Sequence, residues 1–100
     1  MIQVTFYFGS PFPAEWLARK LAETAGGATV TQTTGVWKDQ SDTLRTELGA
    51  TVVVLGSPSD SELDNWKAQA RTACQRFGER EVLMSITHLI DVESLMASDA

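Results

Sequence analysis

From Ile2 the chain alternates without a break: Ile2, Val4, Phe6 and Phe8 fall on one side, Gln3, Thr5 and Tyr7 on the other. A period of two in β-branched and aromatic residues predicts a strand with one face in the core. Gly9-Ser10-Pro11 stops it. Ser10 stands where a helix cap belongs, and Pro11 and Pro13 suit a first turn whose amides lack intrahelical partners. Ala14, Leu17, Ala18, Leu21 and Ala25 then recur at helical spacing, with Arg19, Lys20 and Glu23 opposite. Gly26-Gly27 supplies the left-handed cap that closes the helix.

Residues 28–37, ATVTQTTGVW, have strand composition but are polar on both faces, which predicts a sheet edge with Gly35 at a bulge. Residues 38–49 are polar and acidic, with Asp39-Gln40-Ser41-Asp42 as the expected turn; they read as a long hairpin tip, in preference to a short irregular helix. Thr51-Val-Val-Val-Leu55 is apolar on both faces, as in a central strand covered on both sides. Ser59 and Glu62 then have capping-box spacing, and Leu63, Trp66, Ala70, Ala73 or Cys74, and Phe77 form an apolar helical stripe ended by Gly78. A last strand is expected from about Glu81 to Ile90. The residues from Asp91 onward read as an extension, a helical turn or a frayed tail.

The order β-α-β-β-α-β, with right-handed crossovers, puts the first and third strands at the centre and the second and fourth at the edges. That is an α+β, ferredoxin-like arrangement: a four-stranded antiparallel sheet with two helices on one face, in a single domain spanning residues 1–100. Composition fits a packed globule, with 43% hydrophobic and 21% charged residues. The net charge of −5 argues against direct nucleic-acid binding, since phosphates would be repelled. No apolar run approaches the length of a membrane span, no basic signal region opens the chain, and the lone cysteine fits a reducing cytoplasm.

Candidate chemistry is sparse. His88 has no histidine partner, and Cys74 lies on the buried stripe, where a core thiol is expected. No nucleotide-binding glycine motif, metalloprotease motif or nucleophile elbow occurs, so no cofactor, metal or catalytic set is expected. The stretch VVVLGSPSDSELDNWKAQARTACQRFG resembles the strand–turn–helix opening of the carboxyaminoimidazole ribonucleotide mutase family, which implies a phosphate at the second helix N-terminus. Three acids in its first turns oppose that anion, and a plain cap explains the same residues. The stretch FYFGSPFPAEWLA resembles the first strand and turn of thioredoxin-like proteins, without a cysteine to carry their chemistry. Gly35-Val36-Trp37-Lys38-Asp39, Glu47, Val52 to Leu55 and the helix end Phe77-Gly78 resemble a group of short uncharacterised bacterial and phage proteins. That resemblance implies the fold and brings no activity.

Trp37, at the end of a polar edge strand, reads either as a cover over the sheet edge or as an anchor for a partner. Between Asp39 and Asp64 there are six acids and one base, and after Arg80 four acids and no base. In size, charge and lack of catalytic motifs the chain resembles phage-encoded inhibitors of host defence, including anti-CRISPR proteins. The resulting expectation is a non-enzymatic, acidic interaction protein that occupies a partner's surface through Trp37, Asp39, Asp42, Glu47 and Tyr7. The partner is another protein or a second copy, paired through the open sheet face or an edge strand. The alternative is a small-molecule module or enzyme with a pocket formed by a ferredoxin-like dimer.

Overall fold

The computed structural model describes residues 1–97. Its elements are β1 (Ile2–Phe8), α1 (Pro11–Ala25), β2 (Thr29–Lys38), β3 (Leu44–Gly56), α2 (Asp60–Phe77) and β4 (Leu83–His88). The sheet order is β2-β3-β1-β4 and every pairing is antiparallel, as the expected βαββαβ topology requires. The inward sides of β1 and β3 bury Val4, Phe6, Phe8, Ala50, Val52 and Val54 against Leu17 and Leu21 of α1 and Trp66, Ala70 and Ala73 of α2. Helix α1 meets α2 as well as the sheet, so both helices lie on one face. Among the described residues no helix or strand packs on the other face, where Thr5 of the central strand is buried and Tyr7 is exposed.

The caps follow local chemistry. Ser59 Oγ accepts from the Glu62 amide and Glu62 Oε1 accepts from the Ser59 amide, a complete capping box. Gly26 and Gly78 hold the left-handed φ angles of 85° and 70° that close the two helices. Ser10 is the N-cap residue of α1 but makes no cap hydrogen bond. Its hydroxyl instead donates to Glu79 Oε1 at 2.7 Å, tying the start of α1 to the segment after α2.

Four expectations need correction. The β2–β3 register runs unbroken from Thr29↔Val53 to Lys38↔Leu44, so Gly35 marks no bulge. The hairpin and its turn at Asp39–Asp42 form as expected, the Asp42 amide donating to the Asp39 carbonyl, but β3 begins at Leu44 and not at Thr51, so much of segment 38–49 is strand. The apolar run in β3 is covered on one side only; Val52 and Val54 are fully buried whereas Leu55 is half exposed. Phe77 is exposed rather than core, because the α2 stripe leaves the sheet in its last turn.

Strand lengths are unequal. Strand β1 pairs β3 only from Ala50 to Gly56, so Leu44–Gly49 and their partners Thr33–Lys38 run on as a two-stranded ribbon. Six residue pairs at ~3.3 Å each make an arm roughly 20 Å long, and the molecule is correspondingly elongated at 55 × 32 × 21 Å. Gly49 sits where the ribbon leaves the sheet. A Cβ there would fall 2.5 Å from the Phe8 carbonyl oxygen, a backbone atom that cannot turn aside. At Gly35 the nearest neighbour of a Cβ would be 3.8 Å away, in ordinary contact. Gly49→Ala should therefore cost about 1–3 kcal/mol in urea unfolding, as overpacked sites do, while Gly35→Ala changes stability little. Equal effects from the two substitutions would contradict the close approach at Gly49.

Candidate functional site

The residues singled out from sequence separate into two places. Trp37, Asp39 and Asp42 stand at the tip of the ribbon, and Tyr7 and Glu47 stand near its base.

At the tip, Asp39 organises the turn. Its Oδ1 accepts from the Ser41 amide at 2.9 Å, the Ser41 hydroxyl at 2.7 Å and the Thr43 amide at 3.0 Å. Its Oδ2 accepts from Arg45 Nε at 2.8 Å. Asp42 takes a left-handed φ of 65°, which aspartate tolerates better than most residues, and pairs with Lys38 at 3.2 Å. The acids of the turn are thus matched by two bases, and the tip carries no excess negative charge. Trp37, opposite Arg45 in the register, stands half exposed beside this turn. On the other side of the ribbon Val36, Leu44 and Leu48 are each about two-thirds exposed. Period-two geometry puts these three on the side that carries Ala50, Val52 and Val54 farther along β3. They continue the core stripe past the point where the helices end.

At the base, a hollow of about 320 Å³ is lined by Tyr7, Gly9, Leu83, the acids Glu47, Glu79 and Glu81, and one base, Arg80. Glu47 reaches back over Gly9, where an added Cβ would come within 2.9 Å of its carboxylate. The Tyr7 hydroxyl lies 3.1 Å from Ser85 Oγ across the open face. Glu79 and Glu81 were not legible as partners of Glu47, being more than thirty positions away in sequence. The exposed aliphatics of the ribbon were legible: Leu44, Leu48, Ala50, Val52 and Val54 already follow a period of two.

Cys74 is buried, and desolvation, with Glu79 and Glu81 adding negative charge, pushes its thiol pKa up, away from nucleophile behaviour. The β3–α2 turn holds its own cap, and Asp60 and Glu62 occupy the first turn of α2. No group of three or more metal-ligating side chains occurs among the described residues, and no described helix is long and apolar enough to cross a membrane.

No protein-family model matches the chain, and no curated protein matches it in sequence. Solved structures do. A phage SAM lyase in complex with S-methyl-5'-thioadenosine superposes with TM-score 0.61 at 16% identity, over 97% of this chain and 90% of that one. The divalent cation tolerance protein Cut A1 from Thermus thermophilus gives TM-score 0.65 at 12% identity, over 93% and 88%. A DUF3240 family protein from Shewanella baltica gives 0.61 at 9% identity, over 95% and 97%. Identities this low establish a shared fold: the chain is a small ferredoxin-like α/β protein with the architecture of CutA proteins and of a phage SAM lyase.

The Asp39 network favours the ionised carboxylate, the Arg45 guanidinium most of all, and lowers its pKa from the ordinary 3.8 to about 2. A depressed acid stabilises the fold fully above its ordinary pKa, and that contribution is lost as pH falls through about 2. NMR titration of the Asp39 carboxyl should give a midpoint near 2, and Arg45→Ala should move it towards 3.8. An Asp39 midpoint indifferent to Arg45→Ala would remove this account of the turn.

Proposed function

We propose that this chain works by surface association, as a subunit that joins further copies of itself through the β2–β3 ribbon. One observation carries the reading: the ribbon extends the core stripe into solvent, with Val36, Leu44 and Leu48 on one side and Trp37 on the other. A two-stranded ribbon with no helix or third strand against it is marginal in water. An apolar stripe beside free strand edges is a template for pairing with another chain. A second copy suits it better than a basic host complex, because Lys38 and Arg45 cancel the charge of Asp42 and Asp39. The fold shared with CutA proteins is compatible with this use of the sheet and does not decide it.

Sedimentation equilibrium should show a mass that is a multiple of the single chain's. Leu48→Lys in the ribbon should reduce it to one chain without unfolding the four-stranded core, and Trp37→Ala should weaken association by about 2 kcal/mol if the ring is an anchor. A monomer at all concentrations, or a Leu48→Lys variant that still assembles, overturns the reading.

A second reading rests on the hollow at the ribbon base. Around Tyr7 the three acids Glu47, Glu79 and Glu81 outnumber Arg80, a balance that would suit a small cationic metabolite, and one structural neighbour is a SAM lyase bound to S-methyl-5'-thioadenosine. Titration calorimetry with S-adenosylmethionine and with S-methyl-5'-thioadenosine tests it. The cation should bind more tightly, and Glu79→Gln should weaken it; equal or absent binding of both removes the hollow from consideration.

A further inference from the structure

On the helix side of the sheet, at its β4 edge, a groove of about 300 Å³ opens between α2 and β4. Phe6, Ala70, Val82 and Met84 give it an apolar lining, and Lys67 and Arg71 stand with them. Neither cation has an ion-pair partner among the described residues. The same molecule carries a segment with the opposite character. Residues 90–97 form no strand or α-helix; Ile90 is completely exposed, Leu95 nearly so, and Val92 and Met96 at least half. Ile90-Asp91-Val92-Glu93 alternates apolar and acidic residues, so in an extended conformation its apolar side chains share one side and its carboxylates the other.

We infer that the C-terminal segment of one copy seats in the α2–β4 groove of a second copy. Ile90 and Val92 would cover Val82 and Met84, and Asp91 and Glu93 would meet Lys67 and Arg71. The groove of the same copy is the poorer destination. The segment continues from β4 at the end where the Leu89 amide donates to the Met1 carbonyl, whereas Val82 and Met84 lie towards the opposite end of that strand. It also carries no glycine or proline to reverse it. A groove and a segment that complement each other on one molecule, but meet between copies, form a head-to-tail contact. This contact uses none of the ribbon.

The test uses the full chain with a photo-crosslinking residue in place of Leu95, mixed with a uniformly ¹⁵N-labelled full chain. Irradiation should give mixed-isotope cross-links to peptides containing Lys67–Arg71 or Val82–Met84. Lys67→Glu with Arg71→Glu in the acceptor should lower their yield roughly tenfold, the effect of about 1.4 kcal/mol. Asp91→Lys with Glu93→Lys in the donor should restore it, which a misfolded acceptor could not do. Cross-links confined to a single copy, mixed-isotope links elsewhere, no links at all, or a yield unmoved by the charge reversal would each overturn the inference. Copies joined only through the ribbon would not place Leu95 at this groove, so the two associations are read separately.

Discussion

The structure depends on a mismatch of strand lengths. Gly9-Ser10-Pro11 ends β1 after seven residues, while β3 keeps its period of two for thirteen. Where β1 stops, α1 starts, so the sheet loses its third strand and its helical cover at almost the same level. Everything beyond Ala50 on β3, and beyond Gln32 on β2, must stand as a two-stranded ribbon. Gly49 marks the branch point, where the Phe8 carbonyl leaves no room for a Cβ. Fully burying an aliphatic side chain contributes about 1.5–3 kcal/mol, so leaving Val36, Leu44 and Leu48 in water forfeits several kcal/mol that contact with another surface would recover.

Charge then decides what kind of surface the ribbon offers. The chain is acidic overall, yet the acids at the tip are satisfied: Asp39 by Arg45 and the turn amides, Asp42 by Lys38. Exposed pairs of this kind add little stability, but they set the turn and remove the charge that would steer a basic partner. Acidity gathers instead at the ribbon base, where Glu47, Glu79 and Glu81 line one hollow with Tyr7 and Gly9 and outnumber its single base, Arg80. The two ends of the arm therefore differ in chemistry, with an apolar, neutral tip and an acidic root.

Most of the architecture was legible because each element carries an independent local signal. The alternation of Ile2 to Phe8, the Ser59–Glu62 box and the closing glycines fix elements without knowledge of their neighbours. The hairpin and its turn were read from the sequence, but the start of β3 was placed at Thr51 because the residues before it are polar. In a strand with both faces in solvent, threonine, arginine and glutamate are ordinary, and the alternation of Leu44, Leu48 and Ala50 was the better guide. Trp37 and Asp39 lie together at the tip because Lys38 alone separates them in sequence. Glu47 was placed with the wrong neighbours, because strand geometry carries it to the Gly9 end and only the tertiary fold brings Glu79 and Glu81 beside it. The covering of β3 was overestimated for a related reason: Val53 and Leu55 point to the uncovered face, and sequence cannot say whether that face meets water or another chain.

Hydrogen exchange of the ribbon amides, followed across protein concentration, tests the central claim most directly. If the ribbon is held by contact with another copy, amides of residues 33–38 and 44–48 will be protected at high concentration nearly as well as those of β1, and will lose that protection on dilution while β1 keeps its own. Ribbon protection that does not change with concentration, whether high or absent throughout, would contradict the account.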